Sequence, residues 1–125
     1  MSNHRAVVVF FASAVLALAG VGPAFAHAQL NKAVPAVNGA VTTAPSEVTL
    51  NFSEKLEATF STVIVRDAVG KRVNKADAQV DKADRTTMRV ALDPLMPGIY
   101  IVEWRALTAD THKTEGAFIF RVGDK

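Results

Sequence analysis

Two side chains that commonly bind metals lie close together near the end of this sequence. Asp110 and His112 are separated by one residue, and in an extended backbone the residues at positions i and i+2 point to the same side. A carboxylate and an imidazole can therefore converge on one ion. An aspartate that caps a turn beside a solvated histidine gives the same pattern, so the pair alone leaves both interpretations open.

A third donor residue, His27, follows a segment typical of a secretory signal peptide. Arg5 supplies a positive start, residues 6–19 are apolar and uncharged, and residues 24–26 form the A-x-A pattern of a cleavage site. The apolar run is short for the roughly 20 residues that a membrane-spanning helix needs. We therefore expect cleavage after Ala26 and export of the mature chain; an uncleaved anchor is the alternative.

Cleavage would give His27 a free α-amine, which the precursor lacks. The amine and the ring Nδ1 of one histidine can bind a metal together, and a reference pKa of about 7.7 to 8.0 lets copper displace the amine proton near neutral pH. A terminal histidine alone is weak evidence. With Asp110 and His112 it offers three nitrogens and one oxygen, which suit Cu(II), the ion that leads the divalent affinity series. Zinc accepts the same ligands but ranks lower.

The composition excludes several other kinds of chemistry. The chain has no cysteine, so thiolate metal sites, cysteine nucleophiles and disulfides are absent. Lys and Arg number 14 against 12 Asp and Glu, which leaves no basic surface of the kind that binds nucleic acid. Residues 1–26 are expected to be the signal peptide and residues 27–125 a single domain. Its length suits one modest core.

The domain that must position these residues has the patterning of a β protein. Apolar and polar residues alternate at 47–52 and 87–92, a β-branched run at 60–66 ends in a turn at 67–70, and the longest predicted strands are 99–105 and 117–122. This predicts an all-β, immunoglobulin-like Greek-key β-sandwich or barrel of about seven strands.

Three finer predictions concern single elements of this fold. Trp104 is expected to fill the core. Residues 77–85 are either one helical turn or a solvated loop. The two longest strands are apolar on both faces, as expected of strands inside a two-layer stack.

Short motifs in chain order resemble the CopC family of periplasmic copper-binding proteins, over essentially the whole of residues 27–125. The matching elements are His27-Ala28-Gln29-Leu30, Pro35-Ala36, Ala44-Pro45, Leu50-Asn51-Phe52-Ser53-Glu54, Gly98-Ile99-Tyr100, Trp104-Arg105 and Asp110-Thr111-His112. Each element is weak evidence alone, but their joint order is specific.

The resemblance implies that one Cu(II) ion binds in a histidine brace. The ligands would be the α-amine and imidazole of His27, the carboxylate of Asp110 and the imidazole of His112. Glu54 matches a family acid found near the copper, for which we expect a supporting or weak axial role. Arg105 either balances acidic charge there or forms a plain surface ion pair.

We therefore expect binding rather than catalysis. The protein would be a monomer, not embedded in the membrane, that serves copper homeostasis or resistance by sequestering Cu(II) or delivering it to a separate CopD-type inner-membrane copper transporter. Residues 67–85 hold no methionine, so the methionine-rich Cu(I) site of some family members is not expected.

Two other classes of protein remain as alternatives. One is a histidine-brace copper oxidase acting on a polysaccharide. The equatorial carboxylate of Asp110 and the presence of one Trp and one Tyr count against it, because oxygen chemistry needs an open position and glycan binding needs aromatic surface. The other is a purely structural sandwich without metal affinity.

Overall fold

The computed structural model describes residues 28–123, which fold into eight β-strands. In chain order they are β1 (Leu30–Val34), β2 (Ala40–Val41), β3 (Glu47–Phe52), β4 (Thr62–Asp67), β5 (Gln79–Val80), β6 (Thr87–Ala91), β7 (Gly98–Leu107) and β8 (Lys113–Val122). A 3-10 helix at Ala58–Phe60 joins β3 to β4. The predicted signal peptide and His27 lie outside the described residues. Between residues 28 and 123, no helix is long and apolar enough to cross a membrane.

The strands form two four-stranded sheets, which confirms the predicted β-sandwich. One sheet has the order β1-β3-β6-β5 and the other β2-β8-β7-β4. Neighbouring strands are antiparallel, except that the short β2 runs parallel to β8. Consecutive strands therefore cross repeatedly between the two layers, which places residues distant in sequence at the same end of the sandwich.

The core lies between the sheets and follows from the alternation in the sequence. Along β3, residues Val48, Leu50 and Phe52 are buried while the residues between them are not. Each such side chain contributes about 1.5–3 kcal/mol when fully removed from water. Trp104 packs edge to face against Phe52 with the ring centroids 5.0 Å apart, which confirms its predicted place in the core.

The apolar residues on the outer face of the longest strands are partly exposed. Ile99 of β7 and Ile119 of β8 are 38% and 39% exposed. In a sandwich of two layers each sheet has one face covered by the other sheet, and the opposite face is turned outward. Apolar residues on both faces of these strands therefore do not imply burial on both faces.

Residues 77–85 form a loop and not a helical turn. Gln79–Val80 makes a short pairing with β6, and the carboxylate of Asp81 then accepts the backbone N–H groups of Ala83 and Asp84. The aspartate side chain thus satisfies backbone donors that a helix would have used.

The hairpin of β7 and β8 is the longest pairing in the fold. It runs without interruption from Gly98 opposite Val122 to Leu107 opposite Lys113. Residues 108–112 connect the two strands. Because β1 begins and β3 ends at this same end of the sandwich, the connection lies beside the first described residues of the chain.

Candidate metal centre

The connection between β7 and β8 is a tight turn held by backbone hydrogen bonds. The N–H of Thr108 donates to the carbonyl of His112 at 2.9 Å, and the N–H of Thr111 donates to the carbonyl of Thr108 at 2.8 Å. Thr111 has φ of 73°, a left-handed conformation that is unusual for a β-branched residue. The chain therefore reverses sharply between Asp110 and His112.

This turn brings the two predicted ligands into contact. His112 Nδ1 lies 3.1 Å from Asp110 Oδ1. The side chain of Asp110 is 59% exposed and that of His112 is 30% exposed, so both are reachable from solvent. The argument from an extended backbone was wrong in its mechanism, because a turn, and not a strand, makes these side chains converge.

The separation of the two donor atoms suits a shared metal ion. Metal bonds to imidazole nitrogen and carboxylate oxygen are about 2.0–2.2 Å long, so two such donors at right angles around one ion lie about 2.8–3.1 Å apart. The observed 3.1 Å between Nδ1 and Oδ1 falls at the upper end of that range. A hydrogen bond in the metal-free protein has the same length. The donor pair is therefore compatible with both states.

The carboxyl of Asp110 is held in its charged form. The hydroxyl of Thr108 donates to Asp110 Oδ1, and this hydrogen bond, followed by the contact with His112, lowers the pKa of Asp110 below its ordinary value. Hydrogen bonds to a carboxylate stabilise the ionised form. A metal ion that approaches at neutral pH would therefore meet a carboxylate that is already deprotonated.

The first described residue is fastened next to this turn. Ala28 is buried, with 2% exposure, and its carbonyl accepts a 3.1 Å hydrogen bond from the hydroxyl of Thr114 in β8. Gln29 donates its N–H to Ser53 Oγ at 2.9 Å, and Ser53 returns its own N–H to the Gln29 carbonyl at 2.9 Å. The start of the described chain is thus held from both sheets.

The two supporting residues predicted from sequence lie in different surroundings. Glu54 follows Ser53 and is partly buried; within residues 28–123 the side-chain partners of Asp110 are Thr108 and His112, and not Glu54. Arg105 pairs with Glu115 at 3.5 Å, and the two side chains are 76% and 73% exposed. The surface-ion-pair interpretation is the one the structure supports for Arg105.

Asp110 and His112 alone do not complete a metal site. In the part of the chain that the structure describes, no group of three or more His, Cys, Asp or Glu side chains is arranged to hold an ion. The third predicted ligand residue, His27, lies outside that part. The donor set that is described fits Cu(II) by its chemistry, and it needs further ligands.

Neither of the two methionines among the described residues belongs to this turn. Met88 is fully buried in β6, and Met96 is 75% exposed in the loop before β7, at the opposite end of the β7–β8 hairpin. The Met96 carbonyl accepts a hydrogen bond of 2.6 Å from the hydroxyl of Tyr100. The thioether of Met96 faces solvent, and no second methionine of the described chain is exposed.

Sequence reasoning missed the hydroxyl residues that organise this end of the molecule. Thr108, Thr114 and Ser53 each hold a segment by a side-chain hydrogen bond. Thr108 had a local signal, because threonine hydroxyls in turns often bond nearby backbone groups, as this hydroxyl does with the N–H of His112. Thr114 and Ser53 had none, since their partners are 86 and 24 residues away.

Together, the two-sheet fold and the exposed carboxylate–imidazole turn define a class of small β-sandwich domains with metal-binding side chains at one end. The model of the CopC domain matches residues 30–123. The chain belongs to the CopC family, as the sequence motifs predicted.

Three similar proteins support this assignment. Protein YobA of Escherichia coli is 38% identical over 114 residues, which cover 90% of this chain and 92% of YobA. Copper transport protein CutJ of Bacillus subtilis is 33% identical over 79% of this chain but only 18% of CutJ. The crystal structure of PcoC, a methionine-rich copper resistance protein of Escherichia coli, has a TM-score of 0.67 at 34% identity and covers 78% of this chain and 99% of PcoC.

Proposed function

We propose that this protein binds one Cu(II) ion in the periplasm through a histidine brace formed by His27, Asp110 and His112. The brace would use the α-amine and imidazole of His27 together with the two side chains of the β7–β8 turn. Binding, and not catalysis, is the function. The protein serves copper homeostasis by holding Cu(II) as its cargo.

The observation that carries this proposal is the hydrogen bond between Thr114 and Ala28. Thr114 stands two residues after His112, and its hydroxyl holds the Ala28 carbonyl at 3.1 Å. A residue joined to Ala28 has its Cα about 3.8 Å from that of Ala28. A terminal chelate attached there starts beside the turn that carries Asp110 and His112, which supports a site shared by the two segments.

The charge state of the turn supports binding at neutral pH. The pKa of Asp110 is lowered, chiefly by the hydrogen bond from Thr108. The α-amine must lose its proton to bind, and its reference pKa of about 7.7–8.0 keeps the free-energy cost of that loss small near pH 7. Copper affinity is therefore expected to fall as the pH is lowered below neutral.

Delivery of the ion to a CopD-type transporter is the second half of the proposal. A domain of this kind makes up 18% of CutJ, a protein named for copper transport, which supports a role beside a transporter. Delivery to a transporter requires that the ion leave this domain. Exposure of both Asp110 and His112 gives a partner direct access to the ligands.

The decisive experiment compares the mature protein with a variant that carries one alanine before His27. The extension turns the terminal amine into an amide, which is a poor ligand at neutral pH. Competition titration with Cu(II), followed by Trp104 fluorescence, should show affinity weakened by orders of magnitude.

Two controls accompany this comparison. Urea unfolding of the extended protein should match that of the mature protein, because the extension lies outside the core. A His112→Ala substitution in the extended protein should weaken binding further. Equal Cu(II) affinity with and without the added alanine contradicts the brace.

A further inference from the structure

Thr108 occupies a buried position at the base of the metal-binding turn. It is 2% exposed, and its backbone is fixed on two sides, by a bridge to Leu56 and by the N–H that it donates to the His112 carbonyl at 2.9 Å. The side chain therefore has a fixed origin. Its hydroxyl points into the turn and not into the core.

The Thr108 hydroxyl contacts both predicted ligand residues of the turn. Its oxygen accepts the backbone N–H of His112 at 3.0 Å, and its proton is donated to Asp110 Oδ1. The His112 carbonyl lies 3.2 Å from the same hydroxyl. A hydroxyl has a single proton, and a carboxylate is a stronger acceptor than a carbonyl, so the proton is directed to Asp110.

We infer that Thr108 is a positioning residue for the metal site, which holds the Asp110 carboxylate and the His112 backbone in the arrangement that receives the ion. The inference rests on the proposed function. One hydroxyl fixes both ends of the Asp110-Thr111-His112 segment. The side chain of Asp110 thereby needs less ordering when the ion arrives, because preorganised ligands lose less conformational freedom on binding.

The hydroxyl acts on the ligand that is otherwise most mobile. Asp110 is 59% exposed, and an exposed aspartate samples several rotamers unless hydrogen bonds select one. Asp110 Oδ1 accepts the hydrogen bond from the Thr108 hydroxyl and also lies 3.1 Å from His112 Nδ1. Supporting groups that orient metal ligands in this manner typically contribute 10- to 100-fold to metal affinity.

The test uses paired substitutions in the mature protein. Thr108→Val keeps the shape and removes the hydroxyl, and Thr108→Ser keeps the hydroxyl. We expect Thr108→Val to raise the Kd for Cu(II) by about 10- to 100-fold and to alter the electron paramagnetic resonance spectrum of the bound ion, while Thr108→Ser restores both. Thr108→Ala serves as a second variant without the hydroxyl if the valine side chain prevents folding.

Thr87→Val is a matched control. Thr87 is also a buried threonine, with 6% exposure, whose hydroxyl donates to an aspartate of its own turn, Asp84 Oδ2, at 3.0 Å. Its turn carries no proposed ligand. This substitution should lower stability as much as Thr108→Val does and leave the Kd and the spectrum unchanged.

A metal-free measurement separates this inference from the proposed function. Hydrogen exchange of the His112 amide should speed up in Thr108→Val, where its acceptor is lost, and stay slow in Thr108→Ser. Wild-type protein without tight Cu(II) binding overturns the proposed function itself. Wild-type protein that binds tightly, together with an unchanged Kd, spectrum and His112 exchange in Thr108→Val, overturns only the role of Thr108.

Discussion

The two predicted ligand residues of the turn are positioned through different groups. Asp110 is directed by a side-chain hydrogen bond from Thr108, whereas His112 is directed by its backbone, whose N–H and carbonyl both bond to Thr108. The residue types could be predicted from the sequence because carboxylate and imidazole groups are common metal ligands. Their geometry was not, because the left-handed Thr111 has no sequence signature.

Removing either ligand should weaken copper binding and leave the fold intact. Asp110→Ala and His112→Ala each remove one donor from an exposed turn, so the Kd for Cu(II) should rise at least about tenfold while the protein stays folded. Asp110→Ala also loses the hydrogen bond from Thr108, which should cost roughly 1 kcal/mol of stability, whereas the urea midpoint of His112→Ala should change little. Isothermal competition titration measures the affinity.

Asp67→Ala provides the matched control for these substitutions. The Asp67 carboxylate accepts the N–H groups of Val69 and Lys71 in another exposed turn, at the opposite end of the sandwich. Its loss should cost roughly 1 kcal/mol of stability without changing copper affinity. Normal Cu(II) binding by His112→Ala would show that His112 is not a ligand.

At the scale of elements, the predicted strands were confirmed where the polar and apolar alternation was regular. The alternating residues became β3 and β6, and the two longest predictions became β7 and β8. Strands β1, β2 and β5 were missed. The five residues of β1, Leu30–Val34, do not alternate between apolar and polar, and the two-residue strands β2 and β5 have no period to detect. Tertiary pairing, and not local propensity, decides such segments.

The pairing of β7 with β8 depends on a missing side chain. Gly116 lies opposite Trp104, and a Cβ at Gly116 would come within 2.6 Å of Trp104 Cζ2 and 2.8 Å of Cε2. The indole thus fills the space above the glycine. No substituent fits there unless the ring moves.

Gly116→Ala should therefore destabilise the protein by about 1–3 kcal/mol, the usual cost of overpacking a filled core. In a Trp104→Phe background the smaller ring frees that space, so the additional cost of Gly116→Ala should shrink. Urea unfolding of the two single variants and the double variant gives the coupling free energy. Equal costs in both backgrounds would show that the indole is not what constrains position 116.

Across the whole molecule, three ionised carboxylates in two loops contribute to the stability of the fold. Hydrogen bonds from the Asp84 backbone and from Arg89 lower the pKa of Asp81 to about 2. The hydroxyl of Thr86 likewise lowers the pKa of Asp84, and that of Thr108 lowers the pKa of Asp110. An unfolded chain titrates these groups near 3.9, so the folded state binds protons less readily than the unfolded state.

Stability should consequently fall in acid. Because the folded pKa values lie below the unfolded value, the stabilisation is complete above about pH 5 and is lost as the pH falls from about 4 towards 2. Urea midpoints measured from pH 7 to pH 2 test this dependence. Asp81→Asn keeps the backbone hydrogen bonds but cannot titrate, so its stability should vary less with pH; an unaltered acid slope would contradict the assignment.

The exposed side chain of Met96 lies far from the turn that carries Asp110 and His112. The ten residues of β7 extend about 30 Å between the loop that carries this exposed thioether and the turn that carries Asp110. Peroxide formed around a redox-active metal converts accessible methionine to the sulfoxide, whereas the fully buried Met88 is shielded. Sulfoxidation of Met96 thus falls at the end of the sandwich opposite the turn of Asp110 and His112 and should leave the geometry of that turn unchanged.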